Sequence, residues 1–278
     1  MIDVALVSCA VLPEPDPDQA PIEAAIAAAG LSVATWAWDD PAVDFSQARC
    51  AVLRATWNYP WMLERFSSWL LKVDALTNLQ NPAPLVRWNM HKRYLLDLAD
   101  AGVPTTPTAV LPQGAGTSLE SLLKARGWDD VVVKPAVSAG SFRTLRVRPG
   151  ELAAGEAHLL SLLEERDVLV QPFLSSVQGH GERALVRIDG EVTHAIRKSP
   201  RWQGQQESVS DRAVPISEAE YALADQAIAA AREFGEPLYA RVDMAPGEDG
   251  APVLMELELI EPSLFFPQGP AGLERYVA

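Results

Sequence analysis

Apolar and polar residues alternate in two segments near the end of the chain, residues 238–245 and 253–260, and this alternation predicts a β-hairpin. Arg241 and Asp243 occupy one face of the first strand, and Glu256 and Glu258 occupy the corresponding face of the second. Proline, glycine and aspartate in residues 246–250 provide the turn. We therefore expect three carboxylates and one guanidinium to converge. The opposite, apolar face is expected to consist of Ala240, Val242, Met244, Met255, Leu257 and Leu259.

Three carboxylates in an otherwise apolar hairpin repel one another unless a cation lies between them. Carboxylate oxygens without histidine or cysteine suit Mg²⁺, which combines a few protein carboxylates with phosphate oxygens. A simpler interpretation is that Glu256 and Glu258 line the solvated face of a half-buried strand. The magnesium interpretation requires that other parts of the chain bind phosphate.

Short apolar runs alternate with helical patterns in residues 1–80. Strands are predicted at residues 4–7, 31–38 and 50–53, and helices at residues 21–29 and 66–76. This order predicts a small, doubly wound parallel sheet. The GxGxxG sequence of dinucleotide-binding domains does not follow the first strand. The Asn-Pro-Ala-Pro sequence at residues 81–84 indicates a domain boundary.

The sequence Arg-Ala-Thr-Trp-Asn-Tyr-Pro-Trp follows the third predicted strand, at residues 54–61. In open parallel sheets, ligands bind beyond the carboxyl ends of the strands. Arg54 is therefore a candidate to hold a substrate carboxylate, with Trp57 and Tyr59 as walls of the site. The alternative is that the aromatic residues pack in a domain interface, where Arg54 forms a salt bridge.

Residues 131–142, with the sequence VVVKPAVSAGSF, combine an apolar strand with a loop of small residues. Small residues let backbone N–H groups approach a phosphate, and Lys134 adds a positive charge. The GxxxxGK[ST] spacing of a Walker A loop is absent, and a hairpin of serine and glycine is also common without a ligand. Lys92 is a second candidate, since it is expected in the first turn of a helix at residues 91–101, capped by Asn89, where the helix dipole disfavours a cation.

Residues 168–234 are expected to complete the second half of the molecule. Strands are predicted at residues 168–174, 183–189 and 192–197, the last two joined at Asp189–Gly190. Residues 200–211 are expected to form a mobile loop. A helix within residues 215–234 is expected to bury Tyr221, Ala224, Ile228 and Ala231.

Composition and charge exclude several functional classes. The chain has 278 residues and a formal net charge of −14, with no basic cluster, so nucleic-acid binding is not expected. No apolar stretch approaches the roughly 20 residues of a membrane-spanning helix, and a cytoplasmic location is expected. Cys9 and Cys50 are expected to be free thiols. The four histidines lack ligand spacing, so zinc is not expected.

The order of these motifs from residue 84 onward resembles that of the ATP-grasp superfamily, and the glutathione-synthetase-like branch most nearly. The N-terminal unit resembles the small Rossmann-like parallel α/β domain that precedes the grasp fold. The resemblance implies an α/β (α+β) fold with domains at residues 1–83, 84–172 and 173–278. Segments such as LRATWNYP, GERALVRIDGEVTHAIRKSP and LMELELIEPSLFF are most similar to the O-ureido-serine cyclo-ligase group of antibiotic pathways.

The resemblance also implies residue roles. Arg241, Arg197 and Lys134 are implied to be catalytic, and Asp243, Glu256 and Glu258 to bind metal. The residues implied to bind nucleotide are Lys92, Lys134, Ser138, Ser141, Gln171, Pro172, Phe173, Leu174 and Glu182. Two positions depart from the family pattern: Glu258 replaces a common asparagine, and Gln171 replaces a common acidic residue. Whether Glu258 or Glu261 completes the metal site stays open.

The implied reaction is an ATP-dependent ligation that forms a C–N bond between a carboxylate and an amine through an acyl phosphate, or closes a ring within one molecule. ATP and Mg²⁺ are the implied cofactors, with Mn²⁺ as an alternative metal. The implied partners are small carboxylates and amines, and a homodimer is one option for the assembly. A small-molecule kinase and a non-catalytic ATP sensor are the alternative functions.

Overall fold

The first unit of the molecule is a parallel sheet with helices on both faces. The computed structural model describes residues 1–199 and 208–278. The strand order is β2-β1-β3-β4, with β1 Ile2–Ser8, β2 Val33–Ala37, β3 Ala48–Ala55 and β4 Asn78–Gln80. Helix α1, Gln19–Ala28, packs on one face and α2, Leu63–Asp74, on the other. The doubly wound parallel sheet is thus confirmed, and β4 is an additional strand.

Two short helices follow this sheet, where the sequence predicted one. They are α3, Ala83–Asn89, and α4, Tyr94–Asp100. Asn89 is therefore the last residue of a helix and not a cap, and Lys92 lies between the helices. The buried Asn89 side chain bonds to the backbone of β13 (Pro252–Glu258), accepting from Leu259 N at 3.0 Å and donating to Leu257 O at 2.8 Å. These bonds to a distant strand explain why the local pattern misled the prediction.

The middle of the chain forms a four-stranded antiparallel sheet covered by two helices. Its strand order is β5-β8-β6-β7, with β5 Ala109–Leu111, β6 Val131–Pro135, β7 Leu145–Val147 and β8 Val168–Pro172. The helices are α5, Leu119–Arg126, and α6, Leu152–Leu163, which was not predicted. The Ser118 hydroxyl caps α5, and Gly127 ends it with a φ of 67°.

The last part of the chain forms a five-stranded antiparallel sheet. Its order is β11-β10-β9-β12-β13, with β9 Glu182–Ile188, β10 Glu191–Ser199, β11 Ser208–Val209, β12 Tyr239–Pro246 and β13 as above. Three further helices accompany it: α7 Ser176–Gly179, α8 Glu218–Ala231 and α9 Pro270–Val277. Helix α8 buries Ala224, Ile228 and Ala231 as predicted, whereas Tyr221 is exposed. Short 3₁₀ helices are Phe45–Gln47, Tyr59–Trp61 and Arg232–Phe234.

Both faces of the five-stranded sheet are covered. Helices α4 and α8 pack on one face, together with the apolar side chains of β12. The N-terminal sheet and α9 pack on the other face. None of the helices in the described part of the chain is long and apolar enough to cross a membrane. Of the loop predicted at residues 200–211, residues 200–207 lie outside the described residues, and Ser208–Val209 form a strand.

The predicted hairpin is formed by β12 and β13, and its register brings the charged residues together. Arg241 is paired with Glu258, and Asp243 with Glu256. A β-bulge follows, because Met244 is paired with Leu254. Met255 is the extra residue and lines a cavity instead of the core, where Leu254 takes its place. The predicted convergence is confirmed, and the predicted orientation of Met255 is wrong.

Candidate active site

A cavity of about 600 Å³ lies where the N-terminal unit meets the two antiparallel sheets. Most of the predicted site residues line it. They are Trp57, Tyr59, Lys92, Lys134, Ser138, Ser141, Gln171, Pro172, Phe173, Leu174, Glu182, Arg241, Asp243, Glu256 and Glu258. Arg54 and Arg197 are not among the lining residues.

Lys92 is held from both sides of the cavity. Its backbone N–H donates to Ala136 O at 2.8 Å, and its ammonium donates to Ser138 O at 3.0 Å. The same ammonium lies 2.8 Å from Glu256 Oε1. Although burial acts in the opposite direction, Glu256 raises the pKa of Lys92 above its usual value. Lys92 therefore carries a permanent positive charge and joins α4, the loop after β6, and β13.

Lys134 extends from β6 into the same cavity without such a partner. Its ammonium makes no hydrogen bond or ion pair with any residue within 1–199 and 208–278. Burial lowers the pKa of Lys134 below its usual value, and nearby Lys92 acts in the same direction. An anion in the cavity would satisfy this ammonium.

The loop after β6 forms one wall of the cavity. Gly140 and Ser141 both have positive φ values, 59° and 58°. The Ser138 hydroxyl donates to Pro135 O at 3.3 Å. At the end of the loop, the Phe142 ring meets Trp61 of the N-terminal unit edge to face, with 5.3 Å between the centroids. The loop thus bridges two units across the mouth of the cavity.

The segment after β8 forms an adjacent wall. The Gln171 amide donates to Thr108 Oγ1 at 2.8 Å, which fixes it inside the small sheet. The backbone N–H of Phe173 donates to Asp130 O at 2.8 Å. The Arg146 guanidinium stacks 3.5 Å above the Phe173 ring and is itself paired with Asp130. This wall is rigid and combines an aromatic ring with backbone groups.

Asp243 is the most strongly paired carboxylate of the site. Arg241 binds it through two hydrogen bonds of 2.9 Å, and Lys198 Nζ lies 2.5 Å from its Oδ2. Burial would raise its pKa, but Arg241 and Lys198 together lower it to about 2. Lys198 also contacts Glu182 at 3.2 Å. Asp243 is therefore ionised throughout the physiological pH range.

The other carboxylates differ in charge state. Lys92 and Lys134 lower the pKa of Glu256 against the effect of burial. Burial raises the pKa of Glu258 to about 7, with Asp243 and Glu256 contributing negative charge and Arg241 opposing them by a direct ion pair. Burial, followed by the charge of Glu258, raises the pKa of Glu261 to about 8. Glu258 and Glu261 therefore take up protons more readily than Asp243 and Glu256 do.

Arg197 was expected to lie in the active site, but it does not line the cavity, and Lys198 lies there instead. The hairpin of β9 and β10 begins with Glu191 paired with Ile188, but a bulge between Val192 and His194 shifts the register by one residue. Lys198 is consequently paired with Glu182 and faces Asp243, whereas Arg197 is exposed on the opposite face. The sequence shows two adjacent basic residues, Arg197 and Lys198, and so predicts that one of them faces the cavity. Which of the two does so depends on the bulge, which the sequence does not predict.

Arg54 was expected to bind a substrate carboxylate, but it does not line the cavity. It matches the alternative prediction, in which Arg54 forms a salt bridge inside the protein. It is 1% exposed and donates to Pro262 O at 3.1 Å. Its guanidinium lies 3.3 Å from Asp16 and 3.5 Å from Asp18. Arg54 therefore anchors the segment that follows β13. Trp57 and Tyr59 do line the cavity, as expected.

The donor set fits a magnesium ion only if a nucleotide completes it. Within residues 1–199 and 208–278, no group of three or more Asp, Glu, His or Cys residues is arranged to hold a metal by itself. Asp243, Glu256 and Glu258 nevertheless present hard oxygens to the same cavity. Mg²⁺ commonly takes one or two carboxylates together with substrate phosphates. The residues present therefore fit a shared metal–phosphate site.

Comparison with known proteins gives relatives that span the whole chain. A family profile described as the N-terminal domain of D-cycloserine synthetase DcsG matches residues 4–81. The cycloserine biosynthesis protein DcsG of Streptomyces lavendulae is 34% identical over 275 residues, covering 94% of this chain and 92% of that protein. The crystal structure of D-cycloserine synthetase DcsG superposes with a TM-score of 0.89 at 32% identity, covering 99% of this chain and 97% of that one.

More distant structures share the fold. A RimK-domain ATP-grasp protein from Sphaerobacter thermophilus superposes with a TM-score of 0.69 at 19% identity, covering 99% of this chain and 97% of that one. Sequence identity and coverage of the first two relatives confirm the expected superfamily, fold and enzyme class. The chain belongs to the DcsG family of ATP-grasp ligases, which form C–N bonds.

Proposed function

We propose that this protein uses ATP to activate the carboxylate of a small amino-acid-like substrate and then closes a ring by attack of a nitrogen in the same molecule. The observation that carries the proposal is similarity along nearly the whole chain to a D-cycloserine synthetase. It is supported by a cavity in which Lys134, which has no partner among the described residues, lies beside a carboxylate hairpin. The substrate class proposed is O-ureido-D-serine and related molecules, which contain both reacting groups.

The cationic residues of the cavity suit the triphosphate of ATP. Lys134 has no partner among the described residues, and Lys92 lies next to the loop that carries Ser138 and Ser141. We assign these four residues to the phosphates. The adenine is assigned to the wall formed by residues 171–174, and the ribose to Glu182. Gln171 is fixed by Thr108, which favours recognition of adenine by backbone groups of Pro172 and Leu174.

The hairpin carboxylates suit the metal. Asp243, Glu256 and Glu258 would hold Mg²⁺, or Mn²⁺, which neutralises charge on the transferring phosphoryl group and its leaving group. Arg241 and Lys198 lie against the same carboxylates and line the cavity. Both can stabilise charge on the phosphoryl oxygens, so Lys198 replaces Arg197 in our assignment of catalytic residues.

The proposed reaction has two steps. A substrate carboxylate oxygen bonds to the γ-phosphorus while the bond to ADP breaks, which gives an acyl phosphate. A substrate nitrogen then bonds to the acyl carbon and loses a proton, and inorganic phosphate leaves. No side chain acts as nucleophile. The protein contributes by holding the reacting groups together and by placing cations where negative charge accumulates.

A coupled assay of ADP release tests the proposal. O-Ureido-D-serine with ATP and Mg²⁺ should release ADP and phosphate without any added amine, and yield a cyclic product by mass spectrometry. A requirement for a second amine would indicate intermolecular ligation, and accumulation of a stable phosphorylated substrate would indicate a kinase. No ADP release with a panel of amino acids and amines would refute the proposal.

A further inference from the structure

One carboxylate of the cavity differs in its contacts from those contributed by the five-stranded sheet. Four of the five carboxylates contributed by the five-stranded sheet and the segment after it have cationic partners. Glu182 and Asp243 contact Lys198, Glu256 contacts Lys92, and Glu258 contacts Arg241. The fifth is Glu261, whose side chain has no hydrogen bond or ion pair within residues 1–199 and 208–278.

The framework of the protein holds Glu261 in place. The Trp57 indole N–H donates to the carbonyl oxygen of Glu261 at 3.0 Å. On the other side, Arg54 donates to the next carbonyl in the chain, that of Pro262, at 3.1 Å. The backbone at residues 261–262 is thus fixed from the N-terminal unit, and the free carboxyl group lines the cavity beside Trp57 and Tyr59.

The surroundings of Glu261 favour one kind of ligand group. A partly buried carboxyl group without a partner is costly, and a ligand that donates hydrogen bonds and carries positive charge removes that cost. Aromatic side chains such as Trp57 and Tyr59 also attract cations. The cavity is also lined by Lys92, Lys134, Lys198 and Arg241, which repel a cation and attract carboxylate and phosphate. The ammonium group of a zwitterion is therefore favoured at Glu261, the carboxylate that no cationic side chain of the described residues contacts, and the carboxylate group is favoured at the lysines and Arg241.

We propose that Glu261 binds the α-ammonium group of the substrate and thereby selects amino acids over simple carboxylic acids. This inference rests on the proposed function, since it assigns a specificity-determining residue for that reaction. It also gives Glu261 a role different from that of a metal ligand. The substrate carboxylate is then left to the lysines and Arg241 of the cavity, which would hold it for the proposed phosphoryl transfer.

The test compares one variant on two substrates. Glu261→Gln keeps the size of the side chain but can no longer ionise to pair with an ammonium group. We expect KM for O-ureido-D-serine to rise about ten- to a hundredfold, which corresponds to loss of a charge-assisted hydrogen bond. With 3-(ureidooxy)propanoate, which lacks the α-amino group, the wild-type and variant enzymes should have the same KM. Glu261→Asp should recover part of the loss.

Two controls separate this role from others. Glu248→Gln removes the same charge from an exposed turn and should leave both substrates unaffected. The Mg²⁺ concentration for half-maximal rate should not change in Glu261→Gln. An equal penalty on both substrates, or a raised Mg²⁺ requirement, would overturn the inference while leaving the proposed function intact. If the wild-type enzyme releases no ADP with either substrate, the proposed function fails and the inference fails with it.

Discussion

Lys92 and Lys134 lie in one cavity, but the fold uses them differently. Lys92 is paired with Glu256 and bonded to Ser138, so it contributes to the structure as well as to the charge of the cavity. Lys134 has no such partner in the described chain, and burial lowers its pKa. A side chain that is costly to keep charged and has no internal partner is typical of a binding site.

Substitution of these two lysines should therefore have different consequences. Lys134→Met should weaken ATP binding about ten- to a hundredfold, since a charge-assisted contact is worth about 1.5–3 kcal/mol, and should not lower stability. Lys92→Met should weaken ATP binding too, but should also cost up to about 3 kcal/mol of unfolding free energy, because Glu256 loses its partner. Calorimetric titration with a non-hydrolysable ATP analogue and urea unfolding would measure the two effects. Equal loss of stability in both variants would contradict this distinction.

His194 makes the stability of the protein sensitive to mild acid. It is 5% exposed, with Nε2 2.8 Å from Leu264 O and Nδ1 2.9 Å from Thr193 Oγ1. Burial lowers the pKa of His194 below its usual value of 6.5. The unfolded chain thus binds a proton near that pH while the folded protein stays neutral. By linkage, the contribution of His194 to stability should fall as the pH decreases below about 6.5, until the folded-state pKa of His194 is passed.

The histidine can be tested by its effect on the pH dependence. Between pH 7 and pH 5.5, the raised pKa values of Glu258 and Glu261 favour the folded protein as the pH falls, and His194 acts in the opposite direction. We therefore expect the unfolding free energy to change more favourably with falling pH in His194→Asn than in the wild-type protein. The asparagine variant will be less stable at every pH, because it leaves a small cavity, so the slope is the relevant quantity. His180→Asn, at an exposed position, should retain the wild-type slope. Identical slopes in all three proteins would exclude His194 as the cause.

At the scale of elements, the segment after β13 is held by a carboxylate far away in the sequence. Asp18, at the start of α1, accepts hydrogen bonds from the N–H groups of three successive residues, Leu264, Phe265 and Phe266, at 2.6, 3.1 and 2.8 Å. Arg54 pairs with the same carboxylate. The N-terminal unit therefore sets the position of the segment that completes the substrate side of the cavity.

Removing this anchor should be costly. Asp18→Asn places an N–H donor where a carboxylate oxygen accepts from one of the three backbone N–H groups. It also leaves Asp16 as the carboxylate that pairs with Arg54. We expect a loss of about 3 kcal/mol in the unfolding free energy, as found when a buried ion pair loses one partner. Because the two residues are coupled, the double variant Asp18→Asn/Arg54→Met should lose less than the sum of the single variants. Urea denaturation of the wild-type protein, the two single variants and the double variant gives the coupling energy between Asp18 and Arg54. Strictly additive losses would argue against such a coupling.

The sequence predicted those elements whose side-chain pattern is complete within a few residues. The face carrying Arg241, Asp243, Glu256 and Glu258 followed from alternation and one turn, and its convergence is confirmed. The orientation of Met255 did not follow, because a bulge changes the register without changing the alternation of residue types nearby.

The remaining failures have long-range causes. Lys198 faces the site instead of Arg197 because of a second bulge in the backbone pairing of β9 and β10. Arg54 lies near the strand edge that binds ligands in parallel sheets, but Asp16 and Asp18 bury it. Asn89 looked like a helix cap because its true partners are more than 160 residues away. The proposed domain limits at residues 83 and 172 stay predictions.

At the scale of the whole molecule, the cavity lies between three units that contact one another through apolar and ionic side chains. The N-terminal sheet packs on the five-stranded sheet through a shared apolar core. Within the cavity, Asp243 and Glu256 are already neutralised by Arg241, Lys198 and Lys92. The metal is thus expected to take part in nucleotide binding and to make no contribution to folding, in contrast to structural metal sites.

Removal of metal should therefore leave the fold intact and abolish only the effect of the nucleotide. We expect the same Tm in EDTA and in Mg²⁺ when no nucleotide is present. A non-hydrolysable ATP analogue at a hundred times its Kd should add about 2.7 kcal/mol of stability in Mg²⁺, and much less in EDTA. Thermal unfolding in EDTA and in Mg²⁺, each with and without the nucleotide analogue, measures the effect of the metal alone and the effect of the nucleotide. Glu248→Gln, a change at an exposed position, should behave as the wild-type protein does. A Tm that falls in EDTA alone would show that the carboxylate hairpin needs the metal to fold, which the ion pairs of Asp243 and Glu256 argue against.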